Sequence, residues 1–149
     1  MKKWIILGLL LLVPVAAYAS DLIYDRTVLP GNTSLSGAMN LNGYIEPASL
    51  SVDTHNYNPA GLSEASVLVI SASVAIDLTG IQAPSPAVGK FLLLINEGPE
   101  VIGLVNESAS STAANRFEFN SSPNIAADEC VTLWYHPTDM RWHMVGSYF

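Results

Sequence analysis

After Gly61 the chain alternates short apolar runs with clusters of Gly, Pro, Asn and Ser. Apolar runs of about four to eight residues between turn formers are typical of β-strands and too short for most helices. The runs cover residues 66–71, 74–78, 91–95, 101–105, 116–119, 130–135 and 141–145. Residues 91–95 are the most apolar and are predicted to form the central strand. We therefore predict an all-β fold, a β-sandwich of jelly-roll character.

The connections between the later runs predict two hairpins. Residues 101–105 follow the central run at hairpin distance, across an Asn-Glu-Gly-Pro turn. Residues 130–135 and 141–145 form a C-terminal hairpin with aromatic residues on both strands. In its second strand, alternation places the side chains of Trp142 and Met144 on one face and that of His143 on the other face.

The N-terminus has the pattern of a signal peptide. Lys2 and Lys3 precede an apolar stretch at residues 4–17, and Ala17-Tyr18-Ala19 fits a signal peptidase. The apolar stretch is shorter than the ~20 residues that span a bilayer. We predict cleavage after Ala19 and export, with no membrane span after cleavage; an uncleaved anchor helix is the alternative. The predicted organisation is a signal peptide at 1–19, an arm with short strands at 20–58, and the β-sandwich domain at 59–149.

Charge and cysteine content narrow the function classes. Without Lys2 and Lys3, four cationic side chains face thirteen acidic ones, a net charge of about −9. Such a surface repels phosphate backbones, so nucleic acid is excluded as a partner. Cys130 is the single cysteine, which rules out an intrachain disulfide. We expect a buried thiol there, with an intermolecular disulfide as the alternative.

Motifs for catalysis, metals and cofactors are not recognisable. There is no Gly-x-Ser-x-Gly elbow, no carboxylate pair with an aromatic platform and no phosphate-binding glycine loop. His136 and His143 flank the hairpin and would need Asp139 or His55 to complete a zinc site. We predict no enzyme activity, no catalytic residue, no metal site and no cofactor.

Aromatic residues near the C-terminus are the better binding candidates. Trp134, Tyr135 and Trp142 suit stacking on sugar rings or burial between protomers. A locally aromatic core is the other interpretation.

The order of segments over residues 56–145 resembles a β-rich module of bacteriophage tail fibres and other virion structural proteins. Its most specific part is Ser-Thr-Ala-Ala-Asn-Arg-Phe at residues 111–117, which adds Asn115 and Arg116 to the candidate binding residues. The resemblance implies a non-enzymatic assembly or surface-binding part, often trimeric.

We therefore predict an exported structural or adhesive, receptor-binding module located in the periplasm, outside the cell or on a virion surface. Exposed sheet edges favour a homotrimer. Loops at residues 106–115 and 136–140 would face a cell-surface glycan or another structural protein. The alternative is a periplasmic or secreted carbohydrate-binding module using Trp134 and Trp142; an unrecognised hydrolase is a third interpretation.

Overall fold

The computed structural model describes residues 43–85 and 87–146. These residues are mostly β, as predicted, and form two mixed, open sheets. The strands are β1 (Tyr44–Ile45), β2 (Val67–Ile70), β3 (Ile76–Leu78), β4 (Lys90–Asn96), β5 (Ile102–Leu104), β6 (Asn124–Ile125), β7 (Cys130–His136) and β8 (Arg141–Met144). The larger sheet has the order β1-β2-β4-β7-β8 and the smaller has the order β3-β5-β6.

Helical structure in these described ranges is limited to one 3-10 turn, Ala113–Asn115. Within the same ranges, no helix has the length and apolar character to cross a membrane. The predicted signal peptide at residues 1–19 lies outside the described residues.

The chain runs repeatedly across the sheets, and successive runs, which we call passes, lie side by side in parallel; two of them begin at Tyr44 and Val67. In the larger sheet Tyr44 lies opposite Val67, and Val67 in turn lies opposite Leu93. In the smaller sheet β3 pairs with β5 in parallel, from Ile76↔Ile102 to Leu78↔Leu104. The two sheets are therefore linked by one chain that winds between them, as in a short β-solenoid. We also predicted the specific strand connectivity of a jelly roll, which these two sheets do not show.

Isolated parallel bridges extend this stacking to residues 43–58. They join Leu50 to Ala72, Thr54 to Leu78 and Tyr57 to Ile81. Residues 43–58 were predicted to be part of an arm at 20–58, whereas here they lie along β2 and β3. Residues 20–42 of that predicted arm lie outside the described residues.

Antiparallel strands complete the larger sheet. β7 pairs with β4, and the predicted C-terminal hairpin is confirmed by the β7–β8 register from Leu133↔Met144 to His136↔Arg141. The central position of β4 is also confirmed.

The predicted hairpin between the central strand and residues 101–105 is wrong, because β5 pairs with β3 and β6 in the other sheet. Buried Asn96 accounts for the change of sheet. Its Nδ2 donates to the carbonyls of Glu100, Ile125 and Ala126 at 2.8, 3.0 and 3.1 Å, and its Oδ1 accepts from the Gly98 amide at 3.0 Å. These bonds hold the segment after β4 against the end of β6. From there the segment continues into β5 of the smaller sheet.

Both sheets contribute to one apolar core. Its largest fully buried side chains are Trp142, Tyr135, Phe117, Leu68, Ile70, Leu78, Ile81, Leu92, Leu94, Ile102, Leu104 and Ile125. The alternation of β4 explains its share: Leu92 and Leu94 face this core while Phe91, Leu93 and Ile95 face the other way.

The free side of β8 is covered by residues 116–118. Trp142 N donates to the Arg116 carbonyl at 3.0 Å, and Glu118 N donates to the Trp142 carbonyl at 2.8 Å. This pairing brings Glu118 next to the end of the hairpin.

Candidate functional site

The predicted binding residues separate into buried and partly exposed groups. Tyr135, Trp142 and Asn115 are buried, with exposed fractions of 0, 1 and 4%. Trp134 and Arg116 are partly exposed. Alternation along β7 and β8 explains the difference between the aromatic residues, because Tyr135 and Trp142 share the inner face and Trp134 lies on the outer one.

Trp142 and Tyr135 pack against each other in the core. Their rings meet edge to face with centroids 5.1 Å apart. The indole Nε1 of Trp142 donates to the Ile81 carbonyl at 2.9 Å. The Tyr135 hydroxyl is buried and has no hydrogen-bond partner among the described residues, and burial raises its pKa. These two side chains therefore act in the fold rather than on its surface.

Asn115 belongs to a polar network centred on Asn56. The Asn56 Oδ1 accepts from Thr112 N at 2.8 Å, Thr112 Oγ1 at 2.9 Å and Asn115 Nδ2 at 2.8 Å. Asn115 Oδ1 accepts from Ala83 N at 2.8 Å. The network fastens the loop at residues 106–115, predicted to face a partner, to the stacked passes beneath it.

His55 and Ser111 extend this network. Ser111 Oγ accepts from Asn56 N at 3.0 Å and lies 2.8 Å from Thr79 Oγ1. Thr79 Oγ1 in turn lies 2.8 Å from His55 Nδ1. Because Ser111 is 2% exposed, its hydroxyl is enclosed in the structure and is not presented to a substrate.

Arg116 is held by its own loop. Its Nε donates to the Ser111 carbonyl at 2.9 Å, and its Nη1 lies 3.8 Å from Glu107 Oε2. Glu107 also accepts from Arg141 Nε at 2.7 Å. The acidic side chain thus links the loop to the start of β8.

The outward positions of the larger sheet are mostly apolar. We call this surface the outer sheet face and define it by Tyr44, Val67, Phe91, Leu93, Ile95, Thr132 and Trp134. Phe91 and Trp134 are register partners whose rings stack with centroids 6.5 Å apart and planes inclined by 28°. Phe91 is 61% exposed. A sheet face in water is normally polar, so this face has the composition of a covered surface.

A cluster of imidazole and carboxylate groups lies at one end of that face. His143, the register partner of Trp134, has its Nε2 3.0 Å from Asp139 Oδ2 and 3.9 Å from Glu118 Oε2. His136 Nδ1 lies 3.5 Å from Asp139 Oδ1 and accepts from the amides of Thr138 and Asp139 at 3.2 and 3.4 Å. We name His143, Asp139 and Glu118 the hairpin cluster.

Sequence reasoning had paired His136 and His143 with Asp139, but it missed Glu118. The carboxylate of Glu118 reaches the cluster through the bridge between residues 116–118 and β8, a contact that no local spacing encodes. His55, the other residue considered for such a set, instead bonds Thr79.

Lys90 lines a separate cleft of about 450 Å³ that also contains Leu62, Gln82 and Pro84. Its Nζ donates to the carbonyls of Leu62 and Ser63. Partial burial lowers the pKa of this amine, while the Glu64 carboxylate opposes the shift. The ammonium group is thus occupied in tying β4 to the turn before β2.

Cys130 is exposed, so the prediction of a buried thiol is wrong. The reason is alternation: Val131, Leu133 and Tyr135 face the core, which turns Cys130 outward at the first position of β7.

Comparison of the chain with protein-family models, with curated proteins and with solved structures finds no match.

Proposed function

We propose that this chain is a non-enzymatic, exported structural or adhesive module that associates with further copies of itself through the outer sheet face. The observation that carries the proposal is the apolar character of the outward positions of β2 and β4, beside which Trp134 of β7 stacks on Phe91. Export and a trimeric state belong to the same proposal. The signal-peptide pattern at residues 1–19 supports export, and the resemblance to tail-fibre modules supports the trimeric state.

A second copy is the occupant that best suits this face. Its central outward residues, Val67, Leu93 and Ile95, are aliphatic, so they offer contact area without polar groups to satisfy. None of these three carries a charge, so the identical faces of three copies can pack around a threefold axis without like-charge repulsion there. The whole chain has a net charge of −7, which disfavours association through other surfaces.

Charge placed on the outer sheet face tests the proposal. Phe91→Glu puts a carboxylate on a residue that is 61% exposed, where the monomer tolerates it and an apolar interface does not. Val74→Glu is the matched control, since Val74 is 49% exposed and lies between β2 and β3, away from this face. Light scattering should find single chains for Phe91→Glu and oligomers for Val74→Glu. Oligomers of equal mass in both variants would overturn the proposal.

Carbohydrate binding is the second candidate, favoured by the stacked rings of Phe91 and Trp134. Exposed aromatic faces of this kind stack on sugar rings. A glycan array probed with the protein and with Trp134→Ala tests this function. Glycan signals that Trp134→Ala removes support it, and a silent array or signals that survive the substitution count against it.

A further inference from the structure

We infer that the hairpin cluster is a binding site for a divalent transition-metal cation of the zinc type, with His143 Nε2, Asp139 Oδ2 and Glu118 Oε2 as its protein ligands. The three ligand atoms lie within 4.8 Å of one another. The site goes beyond the association proposed above, because none of its ligands is among the residues that define the outer sheet face. The ligands come from the turn before β8, from β8 itself and from the segment that covers the edge of β8.

The distances suit a small cation. Two ligand atoms of a tetrahedral zinc site lie about 3.3–3.4 Å apart, because each Zn–N or Zn–O bond is about 2.0–2.1 Å long. The separations from His143 Nε2 to Asp139 and to Glu118 are 3.0 and 3.9 Å, on either side of that value. Small side-chain rotations therefore suffice to place all three atoms around one ion.

The local charge also favours a cation. Two carboxylates meet there, and the guanidinium of neighbouring Arg141 is directed to Glu107, 2.7 Å away. A divalent ion would neutralise the two carboxylates without displacing that ion pair.

The site is open on one side. His143 and Glu118 line a surface cavity of about 490 Å³ together with Asn120 and Ser121. The Glu118 side chain is 51% exposed. Water can therefore complete the coordination, which gives three protein ligands and an open position.

The imidazole of His143 determines which metal ions suit the site. Imidazole nitrogen suits Zn²⁺, Ni²⁺ and Cu²⁺, whereas Ca²⁺ takes about six to eight oxygen ligands. We expect Zn²⁺ and Cu²⁺ to bind and Ca²⁺ to bind at least about tenfold more weakly.

Calorimetric titration of the chelator-treated protein with Zn²⁺ is the first test. One ion per chain should bind, and Asp139→Asn or His143→Gln should weaken binding at least about tenfold, a loss already typical of groups that only orient a ligand. His55→Gln is the control and should bind as the unchanged protein does. Glu118→Gln removes a half-exposed ligand without touching the core, so it tests the site if a hairpin variant fails to fold.

Tryptophan fluorescence gives an independent readout. The Trp134 ring lies 6.4 Å from the His143 ring, so bound Cu²⁺ should quench its emission. Trp134→Phe should remove most of this quenching and keep the Zn²⁺ affinity. Both titrations are repeated on Phe91→Glu, so that failure of association is distinguished from failure of metal binding. The inference would be overturned if the unchanged protein did not bind Zn²⁺. It would also be overturned if His143→Gln and Glu118→Gln both bound Zn²⁺ as tightly as the unchanged protein.

Discussion

The indole Nε1 of Trp142 lies 2.9 Å from the main-chain oxygen of Ile81 and donates to it. Trp142 belongs to β8, the last strand of the larger sheet, and Ile81 follows β3 of the smaller one. This bond therefore ties the C-terminal hairpin to the stacked parallel passes, and both residues are fully buried.

Trp142→Phe should lower the free energy of unfolding by about 2–4 kcal/mol, since it leaves the Ile81 carbonyl without its donor and opens space in the core. Urea denaturation measures this. Trp134→Phe, the same substitution on the outer face, should cost less than about 1 kcal/mol. Equal losses in the two variants would contradict the role assigned to Trp142.

Tyr135→Phe should raise the free energy of unfolding by about 1 kcal/mol at neutral pH, because it removes a buried hydroxyl with no partner among the described residues. Burial also raises the pKa of this hydroxyl above 10.0. The folded state then retains a proton that the unfolded state loses, so this group makes stability fall as pH rises beyond that value. The gain from Tyr135→Phe should thus grow in alkaline solution, and a loss of stability at neutral pH would refute this.

Alternation in the sequence was sufficient to predict much of this fold. The expected strands at residues 66–71, 91–95 and 141–145 correspond to β2, β4 and β8. Alternation separated Trp142 from His143 but did not show which of the two faces the core, and Trp142, a candidate binding residue, is buried. Periodicity reports which way a side chain faces and not which strand lies beside it. The parallel stacking was therefore not predicted. A sequence repeat could have indicated it, but the passes that stack, such as those beginning at Tyr44 and Val67, share no evident repeat.

The candidate site also combines residues that are close in sequence with one that only long-range pairing brings in. His136, Asp139 and His143 are close in sequence and were considered as parts of a zinc site that the sequence analysis did not predict, whereas Glu118 joins them only through the chain segment paired with β8. The exposure of Cys130 was already implied by the alternation that directs Val131 inward, and treating cysteine by its average tendency to be buried led to the wrong prediction.

Asn56 has a backbone φ of 48° and its side chain accepts three hydrogen bonds. Asn56→Gly keeps the backbone conformation accessible and loses only the side-chain bonds, whereas Asn56→Ala also carries a steric cost of about 1 kcal/mol. Thermal denaturation should rank the unchanged protein first, the glycine variant second and the alanine variant last. An alanine variant at least as stable as the glycine variant would show that the left-handed conformation is not required.

Gly80 lies where a side chain has no room. A Cβ at this position would lie 2.5 Å from the main-chain oxygen of Asn115 and 2.8 Å from Ser111 Oγ. Gly80→Ala should therefore cost about 1–3 kcal/mol in stability. Gly103→Ala is the comparison, because its Cβ would meet the Asp77 side chain, which is able to rotate away. A larger loss in Gly103→Ala than in Gly80→Ala would contradict the close packing of the loop on β3.

Sedimentation velocity of the purified protein over a wide concentration range tests the central claim most directly. Association through the outer sheet face predicts a species with the mass of three chains, favoured by added salt because salt screens the net negative charge of the protomers. A sedimentation coefficient that stays at the value of one chain at every concentration and salt level would contradict it.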